Sequence, residues 1–298
     1  MKNKILLLII FAFSCFGQEK EFTAQQANLA KEHYYDFIEK VGVQNLHLIL
    51  GAQSNEVKLL SKRAAKSLKK SDFKVATQKW TKALLLIKEA KVKGKITRTK
   101  DGILQLDQVF LDPKKNEVYF WVKTPVLVEG SNPNDDDSMM DSMPLELLIA
   151  NNHGRIHETL FVTEARPFHL HTLLVMLGLS SGTIDDEGNC TGDLVDIFTE
   201  YTTMEGEKKT CLIEDLLFDM KHKQNLPKNG WLFVGPEITD ERYIPDFNGE
   251  LLVDMMGISV LITTNKLLWE SKLEINMNKK ISMDKRVPVK IIIKARRK

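Results

Sequence analysis

Four of the seven histidines, one carboxylate inside an apolar run and an Arg-Pro pair fall within residues 145–178. The carboxylate is Glu158, between His157 and the run Thr159-Leu160-Phe161-Val162. A carboxylate among apolar neighbours is costly to bury, so it needs a cation, an imidazole or backbone N–H donors. A carboxylate hydrogen-bonded to a histidine can do general acid–base work, and several such groups together can hold a divalent metal. Alternation along a strand sends Ile156, Glu158, Leu160 and Val162 to one face and His157, Thr159 and Phe161 to the other. His157 and Glu158 therefore point apart and cannot share one ion without a bulge. His153 and His157 have the spacing of a helical zinc pair, but Asn151-Asn152 and Gly154 give that stretch turn character, and such a pair needs a helix to share a face.

The elements that would position these groups follow from pattern. Residues 145–150 are apolar over the length of a strand, 151–155 carry turn residues and 156–162 resume an extended pattern, which predicts a β-hairpin. Arg166-Pro167 then opens a helix and Gly178 closes it. Residues 168–177 are apolar almost all round, the mark of a buried helix. His169 and His171 lie two residues apart, on roughly opposite sides of that helix. One of them can face the Glu158 strand, and His171, on the side of Phe168 and Val175, is the candidate. The candidate constellation is Glu158 with His171 and Arg166 near the open amides of the helix start.

The strings Gly154-Arg155-x-His157-Glu158-Thr159-Leu160, Ala165-Arg166-Pro167-x-x-x-His171 and Leu174-x-x-Leu177-Gly178-Leu179 resemble the signature of the YdjY-like domain family of bacterial envelope proteins. Trp231-Leu232-Phe233-Val234-Gly235, Tyr243-x-x-Asp246-x-x-Gly249 and the segment from Val287 to Ile293 extend the likeness, which covers residues 103–298. Pro236 and the acidic insert around Asp135 depart from it. The resemblance implies an envelope location and no particular activity; an iron–sulfur label carried by some relatives does not transfer, because the cysteines such a cluster needs are missing. It adds Trp231, Tyr243 and Asp246 to the candidate site, with Tyr243 as a core residue and Asp246 as a turn former before Gly249 as the plainer reading.

The chain has 298 residues, 43% hydrophobic and 28% charged, with a net charge of +2, the profile of an ordinary globular protein without the charge of a general nucleic-acid binder. Met1-Lys2-Asn3-Lys4 followed by an apolar stretch over 5–13 reads as a signal peptide ending at Gly17, so the mature protein is expected to be exported, periplasmic or secreted. Lipidation at Cys15 is the alternative, although Ala12-Phe13-Ser14 makes a poor lipoprotein box. Cys190 and Cys211 then remain as a candidate disulfide in an oxidising compartment.

The expected organisation is a signal peptide over 1–17, a helical region over 18–95 and an α+β domain over 96–298. Apolar stripes predict amphipathic helices over 21–41, from a cap at Ser54, and from a cap at Ser71 or Asp72. Lys58, Lys62, Arg63, Lys66, Lys69, Lys70 and Lys74 crowd the second and third. They form either a solvated surface or, across residues 57–100, a basic face for an anionic surface or polymer; no aromatic residues interleave as nucleic-acid stacking requires. Beyond Gly94 the period changes. Residues 103–111 and 117–123 read as two strands about a turn at 112–116, the second apolar on both faces. Further strands over 194–201, 208–213, 231–234, 260–263, 267–275 and 289–294 predict a mostly antiparallel β domain with one buried helix. The acidic run Asp135-Asp136-Asp137 lacks the spacing of a calcium loop. Neither a phosphate-binding glycine loop nor a serine elbow is present. With no complete catalytic set and no cofactor motif, the expected function is a non-enzymatic binding or interaction module. The alternative is a metal-dependent or acid–base enzyme at Glu158 and His171.

Overall fold

Helix periodicity before residue 94 and strand periodicity after it produce a chain that divides into two compact units. One comprises 1–43 with 55–87, the other 44–54 with 88–298. The structure is a computed structural model and describes residues 22–41, 49–51, 53–125, 145, 147–156, 159–185, 189–235, 238–239, 242–253, 260–264, 275–278 and 280–296.

Three helices carry the amino-terminal third: α1 (Ala24–Val41), α2 (Gln53–Lys69) and α3 (Phe73–Lys93). In the first unit their apolar stripes bury Ala27, Tyr34, Val57, Leu60, Ala64, Ala76, Trp80, Leu84 and Ile87. Asp72 starts α3 by accepting the Val75 amide at 3.2 Å. Ser54 is not the cap expected of it. It lies inside the first turn of α2, and its hydroxyl is buried without a hydrogen bond. Lys58, Lys62, Arg63, Lys66, Lys69, Lys70 and Lys74 are all exposed.

The second unit is built on a 12-stranded sheet, antiparallel at most of its pairings, so the fold is α+β. Its strands in chain order are β1 (Thr97–Arg98), β2 (Leu104–Leu106), β3 (Val109–Asp112), β4 (Glu117–Val122), β5 (Leu147–Asn151), β6 (Thr159–Thr163), β7 (Asp193–Thr202), β8 (Lys208–Leu212), β11 (Trp231–Phe233), β14 (Glu250–Val253), β15 (Ile262–Thr263) and β17 (Val289–Ala295). Small pairings outside it use β9 (Leu217–Asp219), β10 (Gln224–Asn225), β12 (Ile238–Thr239), β13 (Arg242–Tyr243) and β16 (Ile275–Met277). Spatially the sheet runs β1-β2-β3-β4-β17-β7-β11-β15-β14-β5-β6, with β8 also on β7. A bridge from Lys123 to Val162 returns β6 to the end of β4. The path from β4 through β17 to β6 therefore closes on itself. Its inward residues, among them Val118, Phe120, Phe161, Val195, Ile197, Ile291 and Ile293, form one core. Helix α4 (Pro167–Met176) adds Leu170, Leu173 and Leu174 to that core.

Several expectations change. Residues 145–162 are not a β-hairpin: β5 and β6 pair in parallel, with Leu147 opposite Thr159 and Ile149 opposite Phe161. The antiparallel partner of β5 is β14. Asn151 and Gly154 do make a turn, with the Gly154 amide on the Asn151 carbonyl at 2.7 Å, but turn chemistry reports only a local bend and not where the chain pairs next. Residues 103–111 are two strands, because Asp107 takes φ +53° and reverses the chain between β2 and β3. The outer face of β4 has no second layer over it among the described residues. Tyr119 is half-buried by Phe110, stacked at 5.2 Å between ring centres, and by Lys290, whose ammonium lies 4.0 Å from the ring centre. Trp121 stays 44% exposed. Helix α4 buries Pro167, His169, Leu170, Leu173 and Leu174 but exposes Val175 and Met176, so it is covered on one side only. No disulfide joins Cys190 to Cys211. Cys190 packs against the small cluster of Leu147, Ala150, Val234 and Val260, whereas Cys211 borders the main core with its sulfur 3.3 Å from the Thr199 hydroxyl.

Candidate functional site

Pro167 suits the first turn of α4 because it has no N–H to leave unpaired. The residue before it, Arg166, is held extended at φ −79°, ψ 134°, as the pyrrolidine ring requires. No side chain from within α4 caps its amides. The cap comes from 78 residues away: Asp246, in the one-turn helix α5 (Pro245–Asn248), accepts the Phe168 amide on Oδ1 at 3.0 Å. Its other oxygen pairs with the Arg166 guanidinium, which also donates to the Ile49 carbonyl at 2.6 Å. Burial pushes the Asp246 carboxyl up, and Arg166 and the Phe168 amide pull it back down. Gly51, at φ +54°, lets this pair form, since a Cβ there would sit 2.8 Å from Arg166 Nη2 and 3.0 Å from Asp246 Oδ2.

Asn151 at the end of β5 secures the approach to the helix. Its side-chain amide donates to the Ala165 carbonyl at 2.9 Å, and its oxygen accepts the His153 amide at 3.2 Å. One turn into α4, His169 is 2% exposed and its Nδ1 has no hydrogen bond. That nitrogen faces Asp107 Oδ2 at 3.8 Å, beyond direct hydrogen bonding. Burial, reinforced by the Arg166 charge, lowers the His169 pKa to about 3, so the imidazole is neutral. Burial raises the Asp107 carboxyl, against the pull of Lys93 and Arg166. These groups line a cavity of about 240 Å³, which Gln53, Asn152 and Glu164 also border.

The sequence candidates are distributed as follows. Arg166 and Asp246 are joined. His171 binds Tyr243, with Nδ1 2.8 Å from the phenol oxygen, and meets the Phe233 ring edge-on. Burial lowers the His171 pKa and raises that of Tyr243 well above normal, so this contact is between neutral groups. Trp231 is buried in β11 near Glu214. Glu158 and His157 lie outside the described residues, as do the acidic run at 135–137 and residues 1–17. Among the described residues no three His, Cys, Asp or Glu side chains gather as a metal site would need, and no helix is long and apolar enough to cross a membrane.

Sequence reasoning missed Asp107, Gly51, Asn151 and His169 as parts of the site. Asp107-Gln108 between two alternating runs was the available signal for a two-residue turn. It also missed Glu214, an acid among apolar neighbours like Glu158. Glu214 is 2% exposed in the 3-10 turn Ile213–Leu216, and burial raises its carboxyl. No family model, curated protein or solved structure matches this chain.

Proposed function

We propose that this is an exported envelope protein that works as a binding module rather than a catalyst, with the cavity at the start of α4 as its ligand site. The observation that carries the reading is a cavity of about 240 Å³ whose wall combines the apolar Ile49, Leu50 and Pro167 with the polar Asp107, Asn151, Arg166 and Asp246. A concave site with a few fixed polar groups among apolar ones is the usual form of a small-molecule pocket. Arg166 and Asp246 bond to each other, and both they and Asn151 bond to backbone, which holds the site in one geometry.

The amino-terminal basic face and the YdjY-like segment over 103–298 support an envelope setting, with the helices as an extension of the ligand-binding domain and an anionic surface or polymer as their partner. The acid–base alternative at Glu158 and His171 gains nothing from His171, which Tyr243 holds through a neutral contact. Thermal shift of the purified chain against a library of small polar molecules tests the proposal. A saturable rise in Tm is expected, reduced in Asp107→Asn. A stoichiometric metal in the purified protein that leaves with the His171→Ala substitution would overturn it in favour of the enzyme reading. A rise in Tm of several degrees corresponds to roughly 1–3 kcal/mol of binding linkage.

A further inference from the structure

We infer that helix α2 docks the protein on an anionic lipid bilayer, laying a face of lysines and one leucine against the headgroup phosphates. This rests on the reading of the helices as a partner-binding extension and names their partner.

Positive charge is concentrated here rather than spread through the chain. Between residues 55 and 87, within the first compact unit, nine lysines and arginines stand against two acids, Glu56 and Asp72. The whole chain carries only +2, so everything outside this stretch is net acidic. Such an uneven distribution turns one side of a molecule toward a negative surface and the rest away from it. Position on the helix sharpens the pattern. At 3.6 residues per turn, Lys58, Lys62, Arg63, Lys66 and Lys69 fall within about 140° of the α2 circumference, and no acid shares that arc. All five are exposed, while Val57, Leu60 and Ala64 on the opposite side are buried. Glu56 lies outside the arc, 2.8 Å from Lys82 of α3. Lys58 and Lys62, and Lys62 and Lys66, stand one turn apart, where like charges destabilise a helix. A face serving solubility alone does better with both signs interspersed. An unmixed face gains only when an external negative charge meets it.

Shape and one apolar side chain decide between a lipid surface and a polymer. From Lys58 to Lys69 the face runs about 16 Å along the helix axis, and its side chains spread across at least the helix diameter of about 10–12 Å. A patch nearly as broad as it is long matches a plane of headgroups better than the narrow track of a single extended polyanion. Leu59 falls inside the arc, between Lys66 and Arg63, and is 45% exposed. A chain of phosphates or carboxylates offers it nothing, whereas the boundary between headgroups and acyl chains takes a leucine out of water. Lysine stems lie along the same boundary with their ammonium groups among the phosphates. No aromatic side chain falls in the arc, as stacking on nucleic acid would need. Because the apolar stripe of α2 is already buried in the protein, the helix rests on the bilayer and does not sink into it.

The test is co-sedimentation of the full chain with vesicles of phosphatidylcholine alone and of phosphatidylcholine mixed with phosphatidylglycerol, with inorganic polyphosphate as the polymer probe. Stronger binding to the anionic vesicles, released at about 0.5 M NaCl, is expected. Lys62→Gln, Lys66→Gln and Lys69→Gln should each weaken it about fivefold, and the triple variant about a hundredfold, while the Tm holds or rises as like charges are removed. Lys62→Arg, Lys66→Arg and Lys69→Arg together should preserve it. Leu59→Ala should weaken vesicle binding about threefold and leave polyphosphate binding unchanged. Residues 1–17 are the same in every variant, so the apolar stretch there cancels from each comparison. Circular dichroism follows the helices, and the single variants decide the matter if the triple one loses them. Equal binding to the two kinds of vesicle, or equal binding by the triple glutamine variant and the unsubstituted chain, overturns the role of α2. Polyphosphate binding without vesicle binding overturns the lipid and leaves the helices with an anionic polymer as partner. Binding to neither overturns both and leaves the cavity, which thermal shift reads separately, untouched.

Discussion

His169 is the residue in which burial and chemistry are most directly opposed. Its imidazole sits 2% exposed beside Arg166, and Asp107 faces it from the β2–β3 turn. Its pKa falls from the ordinary 6.5 to about 3. A group whose folded pKa is depressed in this way disfavours protonation in the folded state only. Its contribution is complete above pH 6.5 and is lost as the pH falls from there toward 3, at about 1.4 kcal/mol per unit. Asp107 moves the other way, since burial raises its carboxyl, and its protonation offsets part of that loss. Urea unfolding of the native chain between pH 7 and 4 should show a falling midpoint, and the slope should be shallower in His169→Asn. A slope unchanged by that substitution would mean that another group titrates. Gly51 is the second decisive residue. Gly51→Ala forces a Cβ against Arg166 and Asp246 at a left-handed φ, at a cost of roughly 2–4 kcal/mol. Circular dichroism melts should show that loss, whereas Gly102→Ala, with open space around its Cβ, should lose only the backbone part.

At the scale of elements, the unpaired outer face of the sheet stabilises itself through side chains that cover each other. Phe110, Tyr119, Ile292, Phe198 and Leu212 stand opposite one another across β3, β4, β17, β7 and β8. The amphipathic stems of Lys290 and Lys294 bring their ammonium groups over Tyr119 and Phe198. Cross-strand aromatic and cation–π contacts contribute about 0.5–1 kcal/mol each. Tyr119→Ala should therefore cost about 2–3 kcal/mol by urea denaturation, and Trp121→Ala, at the exposed rim, much less. Equal losses from the two would contradict the ladder. The sequence already showed that this strand is apolar on both faces, but a second layer is only one way to cover such a face, and a run of residues cannot say whether its neighbours will do it instead. The same limit applied to α4. A two-residue spacing places His169 and His171 on different sides of the helix, but which side meets the cavity depends on where Asp107 and Tyr243 arrive from, and both come from distant strands.

Across the whole molecule, local periodicity was the legible part. Alternation in β7 and β17 and the helical stripes before residue 94 were enough to specify an α+β chain with a mostly antiparallel sheet. The parallel pairing of β5 with β6 and the return of β6 to Lys123 were not legible, because strand order is a matter of long-range pairing that flanking turns do not encode. Arg166 and Asp246 could each be named as candidates, yet their bond spans 80 residues and no spacing rule reaches that far. The cysteines teach the same lesson. A pair of cysteines invites a bridge wherever thiols are oxidised, but Cys190 and Cys211 end in separate apolar clusters. Dithiothreitol should accordingly leave the melting temperature unchanged within about 1 °C, where a native bridge would contribute about 2–4 kcal/mol. A large drop on reduction would require the two sulfurs to meet.

Because β6 folds back to the end of β4, most strands of the sheet have partners on both sides, and among the described residues the two-residue β1 and the longer β8 end it, β8 being the margin long enough for a foreign strand to join. Lys208 and Lys209 stand exposed on it. Two like charges facing the same pair on an incoming copy repel it, so this margin resists growth into fibrils while the protein is concentrated and crowded. Neutralising both lysines would remove that protection without touching the core.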